Sequence, residues 1–158
     1  MKKIIIAALS PNYSISENGK IPWNIPSEIM HFKNTTTGHI VLMGRKTYQS
    51  LPNPLENRIN IVLSKTVIKD EKYPQTMFID SLEKIKLIIE KYSEKNLFII
   101  GGGEIFAQVL NSIDEMIISF IKQDYNGDIF FPKFDKAEWV QSEIANNSIY
   151  SISRFVRK

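Results

Sequence analysis

Short runs rich in isoleucine and valine recur along the chain at residues 4–9, 40–43, 59–63, 77–79, 97–100 and 116–121, and several are apolar at consecutive positions. Unbroken hydrophobicity over so few residues predicts strands covered on both faces, as in a largely parallel sheet. Between these runs the apolar period lengthens. Leu82, Ile85, Ile88, Ile89 and Tyr92 follow helical spacing behind Asp80, and Glu83 three residues later predicts a capping-box start. A second helix is predicted from Pro26, whose missing N–H is harmless in a first turn, to about Thr35, with Gly38 ending it. Residues 139–144 and 149–156 are strand-like and partly alternating. The turn-forming cluster Ala145-Asn146-Asn147-Ser148 joins them, which predicts an antiparallel hairpin at a sheet edge. The fold class expected is α/β, with a central, mostly parallel sheet, an antiparallel C-terminal strand, and helices on both faces.

At 158 residues the chain has the length of one domain, and no linker, repeat or low-complexity segment divides it. A hydrophobic content of 43% with 23% charged residues describes an ordinary globular protein. Cysteine is absent, which removes disulfides and thiolate metal sites. The apolar run behind Met1-Lys2-Lys3 is short and meets Ser10-Pro11-Asn12 without a small-residue cleavage site, so it reads as a buried strand rather than a signal peptide. No apolar stretch approaches the roughly 20 residues of a membrane helix, and the expected location is cytoplasmic. The net charge of +3 comes from scattered basic residues, which argues against a nucleic-acid arm yet suits a small polyanionic ligand.

Several features carry candidate chemistry. Glu28 sits one turn into the predicted second helix, behind Pro22-Trp23-Asn24 and among Ile25, Ile29 and Phe32. A carboxylate in apolar company is costly unless something pairs with it, although a bland role at the helix dipole explains it equally well in isolation. Ile100-Gly101-Gly102-Gly103-Glu104-Ile105-Phe106 places three glycines between a strand and a helix, a geometry that admits phosphate to backbone N–H groups. It lacks the spacing of a Rossmann fingerprint and is as consistent with a tight helix–sheet turn. Met43-Gly44-Arg45-Lys46-Thr47 is a second strand end of this kind, with cations and a hydroxyl, and Ser64-Lys65-Thr66 is a third. Ligands bind at the carboxyl ends of parallel strands, so these turns point to one extended ligand with more than one phosphate. Arg58, behind Leu51-Pro52-Asn53-Pro54-Leu55, is either a surface arginine or a fork for a carboxylate. His31 and His39 show no metal-ligand spacing and no nucleophile partner, and no metal is expected. Ser119 is the one polar residue in its strand, and its hydroxyl needs a partner, with Glu28 or a bridging water as candidates.

In their order along the chain these segments resemble dihydrofolate reductase. The motifs are the first strand, Ile21-Pro22-Trp23-Asn24-Ile25-Pro26-Ser27-Glu28, Phe32-Lys33, Met43-Gly44-Arg45-Lys46-Thr47-Tyr48, Pro54-Leu55-Glu56-Asn57-Arg58 with Ile61-Val62-Leu63-Ser64, the glycine triplet, and Gly127-Asp128 with Phe131-Pro132. The resemblance implies NADPH-dependent reduction of 7,8-dihydrofolate to tetrahydrofolate for one-carbon metabolism, with hydride transfer to C6 and protonation at N5. It implies that Glu28, Trp23 and Ser119 serve the chemistry, Glu28 holding the pterin and Trp23 sheltering a water. The substrate would meet Ile6, Ala8, Ile29, Phe32, Ser50, Leu51, Leu55 and Ile100, with Arg58 on its glutamate carboxylate. The cofactor would meet Ala8 and Ile15 at nicotinamide. Lys46, Thr47 and the Gly102-Gly103 turn would hold its pyrophosphate, Arg45, Ser64 and Lys65 would select its 2′-phosphate, and Gly44, Leu63, Ile100 and Gly101 would also meet it. Glu104, Ile105, Phe106 and Gln108 would meet it along the last helix. The resemblance further implies a cis peptide in the glycine triplet, an adenosine-binding subdomain near residues 38–90, a monomer, and susceptibility to antifolate inhibitors.

Four positions, in three places, depart from the commoner family pattern. Ser16 replaces a frequent glycine in the 12–21 loop, Asp80 and Glu104 stand where some relatives are basic, and Phe106 replaces a tyrosine. A pyrimidine reductase of riboflavin synthesis shares this general fold and cofactor, but the Trp23–Glu28 block and the Arg58 segment fit a folate better. A noncatalytic nucleotide- or RNA-binding module would need a basic stripe or exposed aromatic motifs, and neither is present.

Overall fold

A computed structural model describes residues 1–158. Along the chain come β1 (Lys3–Leu9), β2 (Ser14–Ser16), α1 (Pro26–Thr36), β3 (Ile40–Gly44), α2 (Arg45–Ser50), β4 (Ile59–Leu63), β5 (Met77–Ile79), α3 (Ile85–Ile89), β6 (Leu97–Gly101), α4 (Gly103–Val109), β7 (Glu115–Ile121), β8 (Ile129–Phe130), β9 (Trp139–Asn146) and β10 (Tyr150–Arg157). Eight strands form one sheet in the spatial order β5-β4-β3-β6-β1-β7-β10-β9. The six from β5 to β7 run parallel, and β10 is antiparallel to both β7 and β9. This is the α/β sheet with an antiparallel C-terminal strand that the apolar runs predict.

Continuous apolar strands are needed because both faces of the sheet are covered. Ile5 and Leu9 of β1 enter one core cluster together with Ile105, Phe106 and Val109 of α4, against which Ile85, Ile88 and Ile89 of α3 also pack. The intervening Ile4 and Ile6 enter a second cluster, packed with Phe32 of α1 and Tyr48 of α2. Strand alternation thus sends successive isoleucines to opposite sides, and helices lie on both. A third, smaller cluster of Trp23, Ile121, Tyr150 and Ile152 closes the sheet beside the start of α1.

Three local expectations change. The capping box does not form: the residue flanking the first turn is Ser81, which makes no side-chain cap, and Asp80 instead pairs with Lys84 at 2.7 Å. The helix itself splits into a 3-10 turn at Leu82–Lys84, α3, and another 3-10 turn at Glu90–Tyr92. Three β-branched isoleucines inside so short a segment, with their restricted side-chain rotamers, weaken its preference for a regular helix. At the hairpin, Ala145 and Asn146 belong to β9, so the turn is shorter than its polar cluster implied. There Asn147 Oδ1 accepts from the N–H groups of Ile149 and Tyr150, at 2.8 and 2.9 Å. Residues 12–21 also contain an unforeseen strand, β2, which pairs antiparallel with β8 in a separate two-stranded sheet.

Candidate active site

A cleft of about 1410 Å³ runs along the carboxyl ends of β1, β3, β4 and β6. Pockets for a single drug-sized molecule span roughly 300–1,000 Å³, so this cleft is large enough for an extended ligand or more than one. Its position follows from topology, since parallel strands all present their carboxyl ends, and the loops behind them, on one edge.

At one end stands Glu28, in the first turn of α1. Its helix begins behind Ile25 without a side-chain cap, and the backbone carbonyl of Ile25 accepts from the N–H groups of Glu28 and Ile29 at 3.1 and 3.0 Å. Two contacts hold this helix start against the sheet. Ile25 packs on the cluster around Trp23, and the Tyr150 hydroxyl donates to the Ser27 hydroxyl at 2.9 Å. Burial pushes the Glu28 carboxyl above the ordinary glutamate range, and the neighbouring Ser119 hydroxyl partly opposes that rise. Ser119 lies behind the carboxyl, 2% exposed on β7, rather than in the cleft wall. Trp23 is buried beside Glu28 and tilts against Tyr125 with ring centroids 5.3 Å apart.

Ile29, Phe32, Ser50, Leu51 and Leu55 continue the wall from Glu28 towards Arg58. The Arg58 guanidinium is fixed by neutral acceptors alone, the Glu56 carbonyl at 2.9 Å and the buried Thr36 hydroxyl at 3.1 Å. No carboxylate forms an ion pair with it. Burial consequently lowers its pKa, with a smaller opposing effect from the Glu56 charge. Asn60, a polar residue inside the apolar run of β4, shapes this segment. Its amide donates to and its carbonyl accepts from the Leu55 backbone, both at 2.9 Å. The interruption of an apolar run by Asn60 is the one sequence signal for that role.

At the other end two glycine turns meet. A Cβ on Gly44 would lie 3.2 Å from the Ile105 side chain of α4, a tight contact, and 3.8 Å from the Gly101 carbonyl, so the strand end packs closely under α4. The Gly101–Gly102 peptide is cis, as the resemblance implies, and Gly101 has φ +119. Both helices that follow, α2 and α4, start behind glycine and lack side-chain caps, which leaves first-turn N–H groups for an outside acceptor. Arg45, Lys46 and Lys65 face this end and form no ion pair with any carboxylate. Ser64 is more committed than its sequence suggests. Its oxygen accepts from the Thr66 and Val67 N–H groups at 3.3 and 3.0 Å, which leaves only its O–H to donate outward.

The family model described as "Dihydrofolate reductase" matches residues 3–151. The chain belongs to the dihydrofolate reductase family. Among its curated relatives, the dihydrofolate reductase of Mycoplasma genitalium is 35% identical over 157 residues, which covers 98% of each chain. That of Haemophilus influenzae is 36% identical over 135 residues, 85% of this chain and 81% of its own. That of Bacillus subtilis is 33% identical over 134 residues, 85% and 77%. As a member of the dihydrofolate reductase family the protein is an oxidoreductase.

The remaining residues expected from the resemblance, Ile6, Ala8, Ile15, Leu63, Ile100, Gly103, Glu104, Phe106 and Gln108, all line the same cleft. The cleft also has walls beyond the expected residues. Lys20 and Ile21 come from the 12–21 loop, Lys33 from α1, Leu82 and Glu83 from the turn before α3, and Ile129 from β8. Ile129 arrives because β8 pairs with β2, an arrangement with no periodic signal in two- and three-residue strands. No helix is long and apolar enough to cross a membrane.

Proposed function

We propose that this protein reduces 7,8-dihydrofolate to 5,6,7,8-tetrahydrofolate at the expense of NADPH, with hydride delivered to C6 and a proton to N5 of the pterin. Glu28 carries the proposal: a partly buried carboxyl on an apolar wall, in the same cleft as two uncapped glycine turns. Its two oxygens suit the 2-amino group and N3 of a pterin, which are neighbouring donors. Holding them favours protonation at N5 through water, with Trp23 sheltering that water and Ser119 orienting the carboxyl. Ile29, Phe32, Leu51 and Leu55 would pack around the aminobenzoyl ring. Arg58, a part-buried cation without an anionic partner, would fork onto the glutamate carboxylate.

The chain's donor set also fits NADPH. A dinucleotide phosphate needs close backbone approach and cations, and Gly44, Gly101, Gly102 and Gly103 supply the first while Arg45, Lys46 and Lys65 supply the second. When bound, its reduced nicotinamide supplies the hydride. Lys46, Thr47 and the Gly102-Gly103 turn would hold the pyrophosphate, Ala8 and Ile15 would frame the nicotinamide, and Arg45, the Ser64 O–H and Lys65 would select the 2′-phosphate. Residues 38–90 would form the adenosine-binding part. With Asp80 and Glu104 in the same wall, that selection rests more heavily on Arg45 and Lys65. The same reading makes the protein a cytoplasmic monomer and a target of antifolate inhibitors.

The test is the absorbance of NADPH with purified protein. Loss of absorbance is expected only when dihydrofolate is added. No loss with dihydrofolate present would overturn the proposal in favour of a noncatalytic nucleotide-binding module.

A further inference from the structure

We propose that Tyr48 and Asp70 form a tether that sets how strongly the protein prefers a 2′-phosphorylated nicotinamide dinucleotide over its unphosphorylated counterpart. They act as positioning residues behind the phosphate-facing side chains, and the inference rests on the NADPH reading above. Two walls face each other at that end of the cleft. One is the first turn of α2 with Arg45, Lys46 and Thr47; the other is the segment after β4 with Ser64, Lys65 and Thr66.

Beyond its junction with the sheet, each wall has few anchors. Helix α2 has six residues, none buried, and no side-chain cap. Residues 64–76 contain only bends and turns. On the cleft side, the direct bond between the walls is Arg45 Nη1 to Thr66 Oγ1 at 3.5 Å, at the outer limit for a hydrogen bond. Behind it lies a cavity of about 290 Å³, lined by Arg45, Gln49, Val67 and Lys69 among others, so apolar packing does not clamp the segment to α2.

The tether crosses this gap. The Tyr48 hydroxyl donates to Asp70 Oδ2 at 2.8 Å, with the buried Thr76 hydroxyl 3.4 Å away. Asp70 Oδ1 accepts from the N–H groups of Lys72 and Tyr73 at 2.9 and 3.3 Å. A single carboxylate therefore shapes the turn in the loop and fastens that loop to α2. The bond from Tyr48 is also the main cause that holds the Asp70 carboxyl below the ordinary aspartate range. The Tyr48 ring packs edge-on against Phe78 with centroids 5.6 Å apart, and it contacts the second core cluster. Removing the oxygen alone leaves that packing in place.

Steady-state kinetics of Tyr48→Phe, Asp70→Ala, Asp70→Asn and the Tyr48→Phe/Asp70→Ala double variant, each with NADPH and with NADH, test the tether. A net hydrogen bond of ordinary strength corresponds to a roughly fivefold change. Tyr48→Phe is expected to raise KM for NADPH by about that factor, with kcat unchanged and KM for NADH moving less than about twofold. The double variant should be no worse than the worse single one, and Asp70→Asn, which keeps a neutral acceptor, should lose less than Asp70→Ala. Equal losses with both cofactors, additive losses in the double variant, or no change in KM would each overturn the tether while wild-type activity stands. Absence of NADPH oxidation by the wild-type protein with dihydrofolate would instead overturn the functional reading, and the tether with it.

Discussion

Glu28 serves function and stability in opposite directions. Burial raises its pKa, so the folded protein binds the carboxyl proton more tightly than the unfolded chain does. The stability linked to that proton is therefore complete below the ordinary glutamate range, and it is lost as pH rises through the elevated folded value. Above the ordinary glutamate range the carboxyl therefore destabilises the fold that presents it, because ionising it costs more in the cleft than in the unfolded chain. Glu28→Gln is accordingly expected to melt at a higher temperature than the wild type at neutral pH, with the gap closing in acid. Turnover should fall by roughly 10²-fold, most severely at neutral and higher pH, where protonation of the substrate needs help. Thermal melts across pH, paired with turnover at the same pH values, check both halves. A variant that is less stable at neutral pH would show that the carboxylate supports the helix start rather than straining it.

At the scale of elements, the unforeseen β2–β8 pair gives the 12–21 loop its place. The Asp128 N–H donates to the Ser16 carbonyl, and Asp128 Oδ2 accepts from the Asn18 N–H, both at 2.9 Å. The Asn12 amide reaches the Tyr125 carbonyl at 3.1 Å. Gly127 lies so close that a Cβ there would be 2.2 Å from the Ser14 Cβ and 2.8 Å from the Ser16 carbonyl. Gly127→Ala is therefore expected to push the two segments apart and lower turnover severalfold. Both segments lie outside the main sheet, so the loss in global stability should stay within the about 1–3 kcal/mol usual for overpacking. Urea denaturation and turnover of the variant separate the two effects, and unaltered turnover would show that this docking does not govern the cleft. Gly127-Asp128 stands out in the sequence as a motif, but the β2–β8 pairing it serves was not legible, because strands of two and three residues carry no period. The long parallel strands were legible for the opposite reason: burial on both faces forces apolar residues into succession. The helix at 82–92 was legible in place but not in form, since spacing locates an apolar face without telling an α-turn from a 3-10 turn. Within the cleft, Glu28, Arg58 and the glycine turns were recognisable from residue type and order. The links from Tyr48 to Asp70 and from Tyr150 to Ser27 were not, because each joins residues far apart in sequence through hydroxyl groups that no motif marks.

Considered whole, the molecule places chemistry at the carboxyl ends of its parallel strands and secures itself at the other end. Glu115, at the start of β7, has a side chain only 4% exposed. Arg154 of the antiparallel β10 grips it through Nε and Nη2, both at 2.8 Å, and Lys2, just before β1, reaches the same carboxylate. One buried acid thus joins the beginning of the chain, the last parallel strand and the C-terminal strand. Arg154, and then Lys2, hold its pKa below the ordinary glutamate range against the opposing effect of burial. With a depressed folded value, the stability that this carboxylate contributes is present above the unfolded pKa and is lost as pH falls through the folded one. Arg154→Ala leaves a buried carboxylate with Lys2 alone. Removing one partner of a buried pair typically costs about 3–5 kcal/mol, and the partial exposure of Arg154 and Lys2 places the expected loss nearer 2–3 kcal/mol at neutral pH. Urea denaturation should show that loss shrinking as Glu115 is protonated in acid. Turnover of the folded variant should match the wild type, since none of the three residues lines the cleft. A loss independent of pH would mean that Arg154 stabilises the sheet through the packing of its side-chain stem, with its charge on Glu115 contributing little.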